Sequence, residues 1–182
     1  AARAEIFTEG GMKPMPTPEP MSLEDIDQAI ADYGLAAERC RSAGFDAVEL
    51  HCASGYLPGQ FLASGSNHRG DEYGGSLSNR LRFIERLLDA LDTAIGIGRV
   101  GLRISPGNPY NDHVDANPEV TYAALLQLAE LKGVAWVHAI RMASTGIDSL
   151  ALTRAHYSGA LIGSDSYTAE EAETSIGDGL VD

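Results

Sequence analysis

The chain has 182 residues and a formal charge of −13, enough length for one substantial core without requiring a second domain. An acidic surface of this kind repels phosphate backbones and anionic bilayers, so nucleic acid and membrane are not expected as partners. There is no apolar run of the ~18–20 residues that a membrane span needs and no cationic, apolar leader. The expectation is a cytoplasmic protein, in a chain that opens on Ala rather than Met and so begins inside something longer. Cys40 and Cys52 fit neither a disulfide framework nor a zinc ligand set, and both are expected as buried thiols in a reducing compartment.

Residues 1–21 carry Gly10-Gly11 and prolines at 14, 16, 18 and 20, which permits extended backbone and forbids a helix. An irregular, proline-rich lead-in is therefore expected there. Ser22 is placed to cap a helix, with Asp25 as its capping-box partner. Leu23, Ile26, Ile30, Tyr33, Ala37 and Cys40 step by three and four along one helical face, and Gly44 stops it. Phe45–Cys52 reads as a strand covered on both faces. A second long helix starts near Ser76 and carries Leu77, Leu81, Ile84, Leu88, Leu91 and Ile95. Strands are expected at Val100–Ser105, Val134–Ile140 and Ala160–Gly163. A third long helix, with Asn117 as cap and Pro118 in its first turn, lies between the first two of these, and a shorter helical piece at 149–156 precedes the last. Thr168 caps a last helix, and Leu180-Val181-Asp182 reads as the first residues of a fifth strand.

Strand, loop, helix, glycine, strand is the grammar of a parallel α/β protein, because parallel strands need crossover helices. An open doubly wound sheet and a TIM (β/α)8 barrel both obey it. The barrel is favoured. The polar residues His51, Arg103, His138 with Arg141, and Ser164 with Asp165 all sit at strand C-termini, which a barrel gathers at one mouth. No Gly-x-Gly-x-x-Gly follows a strand, which weakens a dinucleotide-fold reading. A full barrel needs ~250 residues, so the whole chain, 1–182, is expected to be a single partial barrel domain of about half the strands.

The stretches His51-Cys-Ala-Ser-Gly-Tyr-Leu57, Gln60-Phe-Leu62, Asn67, Arg69, Asp71-Glu-Tyr-Gly-Gly-Ser-Leu77 and Asn79-Arg80 resemble the Old Yellow Enzyme family of FMN-dependent ene-reductases. The resemblance continues through Val100–Pro106 and Leu161–Tyr167. It implies a (β/α)8 barrel, FMN as cofactor, NAD(P)H as reductant, and an activated alkene of enone type as substrate. It also implies roles. His51, with the residue three positions on (Ser54 here), would hydrogen-bond a substrate carbonyl oxygen. Tyr56 would protonate the adjacent carbon. Arg103 would lie at the N1/O2 edge of the flavin, and Ser164, Asp165 and Ser166 at its phosphate end. Asp71 and Glu72 read as loop-ordering partners of Arg69 or Arg80, and no metal site is implied.

Two positions depart from the family pattern. Ser54 stands where the family has His or Asn, and serine is shorter, so an altered carbonyl clamp is expected. Asp165-Ser166 stands where glycine is usual, and a carboxylate there opposes a phosphate. These departures motivate an alternative of a different class: a non-catalytic half-barrel that self-associates through open sheet edges. A metal-dependent barrel hydrolase using His51, His138 and Asp165 is a third reading, without a close ligand pair to support it.

Overall fold

The structure is a computed structural model that describes residues 5–182. It opens on an antiparallel hairpin, β1 (Glu5–Thr8) paired with β2 (Gly11–Pro14). This corrects the expected irregular lead-in over most of its described length. Gly11 turns the chain with φ of 90°, and Thr8 closes the turn by accepting from the Gly10 amide and donating to the Gly11 carbonyl. Pro14 sits at the strand end, where the missing N–H does no harm.

Helix α1 (Leu23–Ser42) begins at the expected capping box, with Ser22 Oγ accepting from the Asp25 amide and the Asp25 carboxylate accepting from the Ser22 amide. The expected stripe buries Ile26, Ile30 and Ala37, while Leu23 is exposed and Cys40 only half-buried. Cys52 is fully buried, and desolvation pushes its thiol pKa far up. Strand β3 (Val48–His51) is shorter than the expected Phe45–Cys52, because Phe45 is exposed and precedes the pairing. After it come the short α2 (Leu57–Leu62) and the long α3 (Leu77–Ile95), capped by Ser76. Strand β4 (Val100–Ile104), helix α4 (Pro118–Lys132), strand β5 (Trp136–Ile140), helix α5 (Ser149–His156), strand β6 (Ala160–Ser164) and helix α6 (Ala169–Gly177) complete the order. Asn117 occupies the N-cap of α4 without a side-chain hydrogen bond.

The sheet is four-stranded and parallel, in the order β3-β4-β5-β6. A doubly wound sheet reverses its strand order at a switch point; a monotonic order is that of a barrel wall. Outward-facing Leu50, Val100, Leu102, Ile104, Val137, Ala139 and Leu161 join Phe83, Leu87, Leu88, Leu125 and Leu126 in one core. The inward face is polar, so β3 is covered on one face only, contrary to the expectation of two. Leu180–Asp182 form no strand, yet the Asp182 amide donates to the Leu161 carbonyl at 2.9 Å and its carboxylate accepts from the Leu161 amide at 2.8 Å.

Candidate active site

Register places the inward side chains in rows. His51, Arg103, His138 and Ile162 are in register across the four strands, and Glu49, Gly101, Trp136 and Ala160 form the row beneath. Gly101 is required in that lower row. A Cβ there would overlap the Trp136 indole, which lies across β4 and donates from Nε1 to Glu49 Oε2 at 2.8 Å. His138 Nδ1 donates to the same carboxylate at 3.1 Å. Glu49 thus ties β3 to β5 over the gap that glycine leaves. His138 is engaged here rather than with Asp165, and among the described residues no cluster of three or more His, Cys, Asp or Glu is placed to hold a metal. That geometry offers the metal-hydrolase reading no ligand set among the described residues.

The upper row, and Ser164 two residues beyond its Ile162, are under-satisfied. His51 Nδ1, Arg103 Nε, His138 Nε2 and Ser164 Oγ are each buried without a hydrogen-bond partner. Buried polar atoms are nearly always paired, and leaving a guanidinium nitrogen unpaired is costly. Four of them around one strand-end mouth mark a place built for a polar ligand. Burial, and then the neighbouring Arg103 charge, lowers the His51 pKa from its ordinary value. The ring is therefore neutral at neutral pH, with one N–H to donate.

The loop after β3 carries the remaining residues. Tyr56 is half-exposed, and its ring centroid lies 5.0 Å from that of His51. Ser54 adopts φ of 57°, a left-handed conformation uncommon outside glycine and asparagine. It is held there from both sides: its amide donates to Ser105 Oγ at 2.9 Å, and its carbonyl accepts from Asn111 Nδ2 at 2.9 Å. The segment that follows β4 is packed hard against this loop. A Cβ on Gly55 would strike the Tyr110 carbonyl and Asn111, and His113 Nε2 lies 3.0 Å from the Gly59 carbonyl oxygen.

A cavity of about 650 Å3 opens at the strand C-termini, lined by Ser54, Arg103, Tyr110, Ile140, Ser164 and Asp165 among others. It unites four of the residues expected from sequence. His51 stands beside Arg103 in register and Tyr56 beside His51, both outside the lining. Ser166 is also outside it, with its carbonyl accepting from Arg141. Asp71 pairs with Arg69 at 2.6 Å as expected, whereas Arg80 turns to the Leu62 carbonyl and to Asp115, and Glu72 lies 3.7 Å from Arg82. Sequence reasoning passed over Glu49, Trp136 and the 107–113 segment. A glycine inside a strand, at 101, was the available signal for a close approach there.

Comparison with known proteins gives a consistent result. The sequence profile of the NADH:flavin oxidoreductase / NADH oxidase family matches residues 4–178. A probable flavin mononucleotide-dependent alkene reductase of Leishmania infantum is 41% identical over 177 residues, covering 95% of this chain and 48% of that protein. The 12-oxophytodienoate reductase 2 of Arabidopsis thaliana is 36% identical over 172 residues, covering 91% of this chain and 46% of that protein. Among solved structures, morphinone reductase in complex with tetrahydroNAD superimposes with a TM-score of 0.89 at 34% identity, over 98% of this chain and 50% of that one. The chain spans about half the length of the relatives it matches.

Proposed function

Since this chain belongs to the NADH:flavin oxidoreductase / NADH oxidase family, we propose that it forms the carbonyl-binding wall, and part of the flavin-binding wall, of an FMN-dependent ene-reductase that takes hydride from NAD(P)H. Its substrate class is the α,β-unsaturated carbonyl. The observation that carries this reading is the in-register pair His51–Arg103 with the Tyr56 ring against His51. That arrangement sets a neutral donor, a phenol and a fixed cation at one mouth.

The residues fit the cofactor. Arg103 Nε and Ser164 Oγ are buried and unpartnered beside the cavity, and a flavin offers carbonyl oxygens, ring nitrogens and phosphate oxygens to such donors. Arg103 would hold the pyrimidine edge, where developing negative charge favours a cation. Ser164, Asp165 and Ser166 would flank the phosphate end. FMN, once bound and reduced by NAD(P)H, supplies the hydride. The chain's own residues do the rest. The His51 N–H donates to the substrate carbonyl oxygen and stabilises the enolate charge that grows there. Tyr56 gives its phenolic proton to the carbon next to the carbonyl. Ser54 supplies a shorter second donor, so the clamp on the oxygen is weaker than one with His or Asn at that position.

The test uses protein expressed from its complete reading frame, incubated with FMN, passed through gel filtration and assayed for NAD(P)H oxidation with cyclohex-2-enone. The expected result is flavin absorbance that elutes with the protein and oxidation that needs the enone. Protein that elutes colourless and oxidises no NAD(P)H would sink the reading.

A second reading rests on the sheet edges: β3 pairs only with β4, and β6 only with β5, among the described residues. Such edges are templates for pairing with another chain, and a non-catalytic half-barrel would self-associate through them. Sedimentation of the 182-residue chain separates the two readings. A well-folded monomer excludes edge pairing, and a dimer that binds no flavin favours it.

A further inference from the structure

The turn between β6 and α6 is held by one side chain that the proposed reaction does not otherwise use. Asp165 and Ser166 adopt φ of 78° and 56°. Neither is glycine, and each left-handed residue costs about 1 kcal/mol or more. Two in succession persist only where the surroundings hold them. Arg141, at the exit of β5, does so. Its Nε donates to the Asp165 carbonyl at 3.2 Å and its Nη2 to the Ser166 carbonyl at 2.9 Å. Its guanidinium sits 3.5 Å from the centroid of the Tyr167 ring, and its own amide donates to the Ser164 carbonyl at 2.8 Å. One arginine therefore touches four consecutive residues, 164–167. Glu171 lies 3.8 Å from the guanidinium while it closes the capping box with Thr168, which couples the turn to the start of α6.

With both turn carbonyls taken, the amides of Asp165, Ser166 and Tyr167 donate to no group among the described residues. Ser164 Oγ is buried and unpartnered, and Ser164 lines the same cavity as Arg103. The only acid in that stretch, Asp165, accepts from Ser166 Oγ at 3.3 Å and has the Arg141 charge bound to its own carbonyl. Resting on the flavin reading above, we propose that Arg141 is a positioning residue for the phosphate end of the cofactor: it fixes the 164–167 turn so that its free donors meet the phosphate, and it offsets the Asp165 carboxylate. Its own N–H groups are committed to carbonyls, so it acts through the turn. A lysine would keep the charge but lose the planar fork that spans two carbonyls and stacks on a ring.

The experiment compares two ligands that differ only in the phosphate. Apoprotein from the complete reading frame is titrated with FMN and with riboflavin, by quenching of flavin fluorescence, for the wild type, Arg141→Ala and Arg141→Lys. Arg141→Ala is expected to weaken FMN about tenfold and to leave riboflavin within about twofold. Arg141→Lys is expected to fall between the wild type and Arg141→Ala for FMN only, and it carries the same comparison should the alanine variant not fold. Equal weakening of both ligands, or no change in either, overturns the role of Arg141. A wild type that binds neither ligand overturns the flavin reading instead.

Discussion

The outward face of the four-stranded sheet presents Leu50, Val100, Leu102, Ile104, Val137, Ala139 and Leu161, none more than 3% exposed. The inward face presents Glu49, His51, Arg103, Trp136 and His138, and three of these five hold a buried nitrogen with no partner. The same strands build both, because side chains alternate along a strand. The outward face is saturated with apolar contacts and sets the fold. The inward face keeps charge and unpaired donors that apolar packing does not use, as the proposed ligand site requires. Substitutions on the two faces should therefore differ in kind, and their magnitudes rank the two.

The largest effect belongs to the outward face. Leu102 is fully buried in the centre of β4, and Leu102→Ala should cost about 2–5 kcal/mol of stability through lost transfer energy and the cavity left behind. Urea unfolding checks it. A loss under about 1 kcal/mol would mean that the outward face is not the core it is taken for here. Next comes Gly101, on the inward face of the same strand. Gly101→Ala inserts a methyl into the Trp136 indole and should cost about 1–3 kcal/mol. It should also displace the indole from Glu49, visible as a shift in the fluorescence of Trp136, the one tryptophan of the chain.

Legibility in the sequence followed the same division. The outward face and the helices announced themselves through periodicity: the stepping of Ile26, Ile30 and Ala37, or of Ile84, Leu88 and Leu91, is a local property of the chain. So were the caps at Ser22 and Thr168, which depend only on residues three apart. The individual strand-end residues His51, Arg103, Ser164 and Asp165 were legible as well. Their convergence needed the barrel. Of the Glu49–Trp136–His138 tie only the glycine at 101 gave a sign, because the tie joins residues 87 and 89 positions apart across the strand between them. The hairpin at Glu5–Pro14 was missed for a different reason. Prolines that forbid a helix also mark strand ends, and the pairing of Glu5 with Pro14 depends on a turn whose sequence, Glu9-Gly10-Gly11, was read only as a break in regular structure.

A pH series probes the inward face without a ligand. Desolvation first, and the Arg103 charge second, hold the His51 pKa below its ordinary 6.5. A histidine depressed in the folded state binds its proton first in the unfolded chain. Its contribution is thus complete above 6.5 and is lost as pH falls through the folded value. His113, depressed mainly by burial, adds to the same slope, and aspartates such as Asp71, held low by Arg69, enter only below their ordinary 3.8. His51→Gln should flatten, without abolishing, the decline between 6.5 and 4.5, the ordinary value of glutamates such as Glu130 and Glu171 that hydrogen bonds hold low. An unchanged decline in urea midpoints across that window would place the sensitivity on His113 alone.

The smallest stability effect should come from the most polar residue of all, and it separates the faces most sharply. Arg103 sits between His51 and His138 in the middle of the inward row, with Nε buried and unpartnered. Its positive charge costs desolvation that no described carboxylate bonds to directly. Replacing such a group by an apolar side chain of similar length is often neutral or stabilising. Arg103→Met should therefore change unfolding stability by less than about 1 kcal/mol in either direction, against the loss of several expected for its immediate neighbour Leu102. The same substitution should reduce FMN retention sharply, because the guanidinium is the one fixed cation on the described wall of the cavity that faces the proposed flavin edge. A variant that loses stability as Leu102→Ala does would show that Arg103 is held by contacts within the barrel wall. One that keeps both its stability and its flavin would show that the unpaired donors of the inward face are not where the cofactor binds.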